Sequence, residues 1–224
     1  MATYNVEVRG TSALIEVQQS VVFQAILAAM IGYLLGSIPT GMVVARVYRN
    51  VDLTAHGSGR TGATNVLRTL GTGAAAIAFA GDFLKGMVAV LIAKYLIAPD
   101  NTWIWMIAAI AAVVGHSYSI FIGFKGGRGV VTGFGASVVA APVLMLIAFV
   151  IGLVFVATTR YVSLGSVVGT TLAGLLMCWL AYMQSDPALA LWGVLLGGFI
   201  VVAHKDNIER LRAGTERKLG ERAL

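Results

Sequence analysis

The sequence predicts an all-α integral membrane protein: a bundle of about seven transmembrane helices, with the N-terminus outside and the C-terminus cytoplasmic. Three observations predict it. Hydrophobic residues make up 58% of the 224 residues and charged residues only 12%, against about half and about a quarter in a soluble domain. The charges are confined, since the stretches 21–45, 87–93 and 164–184 carry one or none. The basic residues collect on alternate connections, as the positive-inside rule requires of a multi-pass chain.

Residues 1–21 form a polar lead-in, at most a surface helix, without the basic start and small-residue cleavage site of a secretory signal. Crossing a ~30 Å hydrocarbon core takes about 20 helical residues. The candidate spans of the bundle, residues 22–204, are 22–45, 72–97, 103–122, 130–141, 142–159, 163–183 and 188–203. The fourth is too short to cross at full thickness, so six spans are the alternative. Pro142 marks the turn that follows it. Residues 205–224 are a basic cytoplasmic tail.

Thirteen of the sixteen Lys and Arg fall in four segments: Arg46 to Arg68, Lys125 with Arg128, Arg160, and the tail. The opposite connections, around Asp100 and Asp186, carry only acidic charge. The basic segments are therefore assigned to the cytoplasm, which agrees with seven spans and an outside N-terminus. The net charge of +6 needs no nucleic acid to explain it, because anionic headgroups favour such loops by about 1 kcal/mol per basic residue. Cys178 lies in an apolar run and reads as a packing residue; a single cysteine permits no intrachain disulfide.

Four glycine-rich polar segments share the cytoplasmic side. Gly36-Ser37-Ile38-Pro39-Thr40-Gly41 implies a bend in the first span. Gly57 to Arg68 (GSGRTGATNVLR) resembles a phosphate-binding loop, with Ala63 where a Walker loop has Lys. Nucleotide hydrolysis is thereby disfavoured. What survives is an anion nest of Gly57, Gly59 and Gly62 leading into a helix N-terminus, whose dipole attracts negative charge. Ser58, Thr64 and Asn65 add neutral donors and Arg60 and Arg68 add charge, while Thr64 or Asn65 is also a candidate helix cap. In Gly81-Asp82-Phe83-Leu84-Lys85-Gly86, Asp82 and Lys85 share a helix face and form an ion pair, either supporting the site or touching substrate. The fourth segment joins Gly115-His116-Ser117-Tyr118 to Lys125-Gly126-Gly127-Arg128-Gly129, a cationic turn suited to a second phosphate. Further along lie Ser166, at the start of a span, and His204 and Asn207, on one face of a continuing helix with Leu211. All three histidines (His56, His116, His204) fall on this side.

In order, GSIPTG, GSGRTGATNVLR, GDFLKG, GHSYSIFIGFKGGRG, RYVSLGS and HKDNIERLRAGTE resemble the acyl-phosphate:glycerol-3-phosphate acyltransferase family, the PlsY type of bacterial phospholipid synthesis. The resemblance covers nearly the whole chain after the lead-in. It implies a seven-helix enzyme of the bacterial inner membrane, its site facing the cytoplasm. The enzyme would move a fatty acyl group from acyl-phosphate to the 1-hydroxyl of glycerol 3-phosphate, yielding lysophosphatidic acid and phosphate, with no cofactor and no metal. Carried over motif by motif, the catalytic positions are Ser58, Arg68, Arg128, His204 and Asn207. The substrate-binding positions are Ser37, Gly57, Gly59, Arg60, Gly62, Thr64, Asn65, Lys125, Gly127 and Ser166. Three residues depart from the family pattern: Arg60 replaces the usual Asn, Arg128 the usual Lys, and Ser119 the usual Pro. The Arg128 exchange alters chemistry, since Arg grips phosphate through a planar fork and Lys binds it as a point charge.

Acyl-phosphate is a mixed anhydride with a good leaving group, so an alcohol can attack it without a covalent intermediate. The enzyme must hold two phosphates, stabilise an oxyanion and have a proton removed. The acceptor of that proton is either His204 or a substrate phosphate oxygen, and the resemblance favours the phosphate. No His-x4-Asp motif occurs, since Glu209 stands five residues after His204, which argues against acyltransferases of that class. The alternative function is a transporter or channel for phosphorylated small molecules, because charges within spans also mark pathways; no internal repeat supports it.

Overall fold

The computed structural model describes the backbone of residues 2–221 and the side chains of residues 17–221. The chain is all-helical: α1 (Ala2–Ser37), α2 (Thr40–Arg49), α3 (Ala63–Leu70), α4 (Thr72–Ile92), α5 (Thr102–Ser117), α6 (Val130–Val138), α7 (Pro142–Thr159), α8 (Val162–Gln184), α9 (Pro187–Ala203) and α10 (Lys205–Arg212). Among the described residues, four apolar segments are long enough to cross a bilayer: Val17–Arg49, Thr72–Ile97, Pro142–Thr159 and Val162–Gln184. A fifth arises if α9 and α10 are joined across their 58° bend. At 1.5 Å per residue, α5 covers about 24 Å and α6 about 14 Å.

The polar lead-in runs without a break into the first span as one helix, α1; the side chains of residues 2–16 lie outside the described residues. At the expected bend the helix is interrupted: Pro39, which lacks an N–H to donate, separates α1 from α2, while Val17–Arg49 still runs as one span. The fourth span is the nine-residue α6, and Pro142 stands in the first turn of α7, where its missing N–H costs nothing. The third span is shorter than expected, ending at Ser117 and followed by the helical turn Ile120–Ile122. Ser119 makes this junction: its buried hydroxyl donates to the Ser37 carbonyl and accepts from the Phe121 N–H at 3.3 Å. A proline there would have no hydroxyl to tie α5 to α1.

Small residues bring the helices together. A Cβ at Gly86 would strike the Thr132 carbonyl, and one at Gly135 the Phe83 carbonyl, so α4 and α6 cross with backbones in contact. Gly152 against Gly165 and Gly169 does the same for α7 and α8, and Gly174 against Gly193 for α8 and α9. Between apolar tails such close approach replaces the hydrophobic drive that holds soluble cores. Trp192 fills the main core, 2% exposed, and donates its indole N–H to Ser137 at 2.8 Å. Cys178 is half-buried, its thiol 3.6 Å from the Ala190 carbonyl.

Candidate active site

The connections after α2 and α5, the start of α8 and the end of α9 surround one cavity of about 460 Å³. The loop after α2 is shaped from within. Gly57 and Gly59 take left-handed conformations, φ 62° and 67°, which cost glycine nothing. Asn65, 1% exposed in the first turn of α3, organises the loop. Its amide N–H groups donate to the carbonyls of Leu53 (3.1 Å), His56 (3.1 Å) and Arg60 (2.8 Å), and its oxygen accepts from the Ser58 N–H at 3.1 Å. Neither Thr64 nor Asn65 caps α3. The cap position is Gly62, without a side-chain bond, because the Asn65 amide is already turned back into the loop.

This loop brings Ser58, Arg60, Gly62, Thr64, Asn65 and Arg68 to the cavity wall. The other elements add Gly127 and Arg128, Ser166 from α8, and His204. Three guanidiniums thus line a cavity whose wall, among the described residues, carries the carboxylate of Asp82 alone. Arg128 donates its Nε–H to the Ala203 carbonyl at 3.1 Å, which anchors the turn to the end of α9. Burial first, then the charges of Arg60 and Arg210, lower its pKa to about 10, leaving it cationic at neutral pH. Burial also lowers the pKa of Arg68, with Glu216 opposing.

His204 is 2% exposed and sits at the 58° bend, so it does not continue α9 as expected. Its Nδ1 lies 2.8 Å from the Ile200 carbonyl. A carbonyl only accepts, so Nδ1 carries the proton and Nε2 is left as an acceptor. Burial, then Arg128, push its pKa down to about 4, which keeps it neutral.

Asp82 and Lys85 form the expected pair at 2.7 Å, both buried. Only Asp82 of the two reaches the cavity; Lys85 donates to the Ile38 carbonyl at 2.8 Å. Thr40 donates its hydroxyl to the Asp82 oxygen that pairs with Lys85, and His116 Nδ1 lies 3.3 Å from that same oxygen.

Five expected site residues fall outside the cavity lining. Ser37 is fully buried where α1 packs on α5, its carbonyl taken by Ser119. Gly57 and Gly59 shape the loop from behind. Lys125 is exposed to solvent, because the turn that aims Arg128 inward aims it outward. Asn207 is buried and donates to Glu216 at 2.7 Å. Glu216 was not anticipated: it also accepts from Ser163 at 2.8 Å and pairs with Arg210 at 2.7 Å. It therefore clasps the chain after α10 to the start of α8. Burial raises its pKa, but the bonds from Ser163, Asn207 and Arg210 outweigh this and leave it below the ordinary value. Also missed were His116, on the cavity wall, and the apolar arm of Phe79, Phe83, Phe134, Met145, Leu146, Phe149 and Leu153. The arm extends between α4, α6 and α7, and Leu146 and Leu153 are 61% and 49% exposed on its outer side. The signal available for His116 was its place in one of the four glycine-rich polar segments; helical periodicity in the apolar run of α7 offered none for the arm.

The family model described as Glycerol-3-phosphate acyltransferase matches residues 26–214. The chain is similar to the Glycerol-3-phosphate acyltransferase of Thermoanaerobacter sp. (strain X514), 44% identical over 88% of this chain and 97% of that one. It is 45% identical to a Glycerol-3-phosphate acyltransferase of Thermus thermophilus, over 88% of this chain and 96% of that one. It also resembles the crystal structure of PlsY (YgiH), an integral membrane glycerol 3-phosphate acyltransferase, in its glycerol 3-phosphate form. That likeness has a TM-score of 0.80 and 38% identity over 88% of this chain and 96% of that one. The lysophosphatidic acid form of the same enzyme gives 0.79 and 37% over the same shares. The chain belongs to the glycerol-3-phosphate acyltransferase family, and it is an integral membrane acyltransferase.

Proposed function

We propose that the enzyme transfers a fatty acyl group from acyl-phosphate to the 1-hydroxyl of glycerol 3-phosphate, giving lysophosphatidic acid and inorganic phosphate for phospholipid synthesis. The observation that carries this reading is one cavity with two characters. Arg60, Arg68 and Arg128 stand at its polar end, and an apolar arm flanked by exposed leucines opens from it. Two phosphates need that surplus of cations, since each anion repels the other. A fatty tail needs the arm, and its exposed side offers entry from lipid.

In this reading the acceptor's oxygen attacks the acyl carbon. A carbon–oxygen ester bond forms, the bond from the acyl carbon to the phosphate oxygen breaks, and its electron pair leaves with phosphate. Ser58 in the loop before α3, Arg68 in the last turn of α3, and Arg128 hold the anions, with Thr64 and Ser166 adding hydroxyl donors. Asn65 and Asn207 position the segments that carry them. His204 Nε2 accepts a hydrogen bond from the attacking hydroxyl. The proton goes to a phosphate oxygen, because a His204 held near 4 is about a hundredfold weaker as a base than a phosphate with second pKa near 6.

The bundle is residues 22–204, with residues 1–21 as a lead-in and 205–224 as a tail. Counting α1 with α2 as one span, and α4 to α9 as six more, gives seven. The N-terminus is outside and the arginine-rich end faces the cytoplasm across the bacterial inner membrane. The test is an assay of purified enzyme with acyl-phosphate and glycerol 3-phosphate. The expected result is phosphate release that requires both substrates and matches the lysophosphatidic acid formed. Absence of release, with uptake of phosphate esters into liposomes carrying the protein, would support a transporter instead.

A further inference from the structure

His116 is buried (6% exposed) on the cavity wall, and neither the arginines nor His204 account for it. It is held from three directions. Its position near the end of α5 fixes the backbone, and its carbonyl accepts from the Gly127 N–H at 3.2 Å. Its Nδ1 faces the Asp82 carboxylate at 3.3 Å, and that carboxylate is itself immobilised by Lys85 and Thr40. The other edge of the ring lies flush on the backbone of the glycine turn: a Cβ at Gly127 would collide with Nε2, Cε1 and Cδ2, and one at Gly126 with the His116 carbonyl. The Gly126-Gly127 pair is therefore what lets the turn lie directly on the imidazole. A carboxylate that orients a histidine, which in turn orients a binding element, is a recurrent arrangement around reactive sites.

We infer that His116, its Nδ1 turned towards Asp82, is a positioning residue whose ring is the floor beneath the Gly126-Gly127-Arg128 turn and sets where Arg128 meets a substrate phosphate. The inference rests on the acyl-transfer reading for which substrate is affected, but not for the contact itself. Arg128 is tethered on its far side to the Ala203 carbonyl, so the turn is clamped between α9 and the His116 ring. Removing the ring leaves the α9 tether and frees the turn to sink towards Asp82. The consequence is weaker binding of the phosphate rather than slower chemistry.

The experiment uses the purified full-length enzyme with His116→Asn, His116→Gln, Gly127→Ala, and Gly127→Ala combined with His116→Asn. Asn keeps an amide at the Nδ1 position facing Asp82 but empties the space beside Gly127; Gln reaches into that space. His116→Asn should raise KM for one of the two substrates by about tenfold or more, with kcat within about threefold. It should weaken inorganic phosphate binding, read as a thermal shift, to the same degree, and His116→Gln should recover most of the loss. Gly127→Ala should weaken phosphate binding alone yet add little in the His116→Asn background, because the ring it would strike is gone. Unchanged phosphate affinity in either folded single variant, additive penalties in the pair, or a loss of kcat with KM unmoved would overturn the inference. If phosphate coupling appears but the wild type transfers no acyl group, the positioning role stands and the assigned reaction fails.

Discussion

At the residue scale, neighbours decide chemistry that residue type alone leaves open. His204 reads as a base of ordinary pKa until its burial and the Arg128 guanidinium are seen. The unfolded histidine takes a proton near 6.5 and the folded one only near 4. Between these values the unfolded state binds more protons, so stability falls as pH drops from 6.5 towards 4. Glu216 acts lower: its folded pKa is depressed from 4.5, so its contribution is complete above 4.5 and is lost as pH falls through the folded value. Thermal unfolding in detergent from about pH 4 to about pH 7 should therefore show a sloping limb that His204→Asn flattens in its upper part. An unaltered slope in that variant would assign the limb to carboxylates. Asn65 makes the same point: its type suggests a phosphate donor, whereas its contacts spend both amide hydrogens on the loop.

At the element scale, α6 is too short to hold its place by length and is held by contact. Its Gly135 abuts the Phe83 carbonyl of α4, and Gly86 of α4 abuts the Thr132 carbonyl in return. Gly135→Ala has no soft neighbour to displace, since the obstacle is backbone. It should cost about 1–3 kcal/mol, measured as a lower unfolding midpoint in detergent. It should also raise KM, because Phe83 and Phe134 beside this crossing line the cavity. Wild-type stability in Gly135→Ala would show that the two helices yield at no cost. The α7–α8 seam of Gly152, Gly165 and Gly169 serves the cavity likewise, since all three line it.

At the scale of the whole molecule, charge and topology are one statement. In the proposed seven-span topology, Asp100 and Asp186 lie at one set of connections, and Arg49, Arg160 and Lys218 lie at the other set. Single cysteines placed at 100, 186 and 218 in a Cys178→Ala background should divide accordingly. A membrane-impermeant thiol reagent should label 100 and 186 in intact cells, and 218 only after permeabilisation. Labelling of 218 in intact cells would invert the orientation. The chain after α10 is tied back through Glu216, through Leu219 N–H to the Arg160 carbonyl at 2.6 Å, and through Arg68 to the Arg217 carbonyl at 3.3 Å. The chain after α10 therefore braces Arg68 and the start of α8, both of which reach the cavity.

The sequence by itself determined the membrane class, most of the segments that supply the polar cavity wall, and the family. Hydropathy, charge distribution and local motifs are written along the chain and need no folding to be read. It also showed the Asp82–Lys85 pair and the helix break at Pro39, because both depend on contacts within a few residues. Only the tertiary structure decided which polar groups face the cavity. It placed Ser37 in a helix contact, tied Asn65 to the loop carbonyls and Asn207 to Glu216, broke the helix at His204, and brought His116 under a turn ten residues further along. Those outcomes depend on which donors and acceptors meet across helices, and pairing at that distance leaves no period or spacing in the sequence.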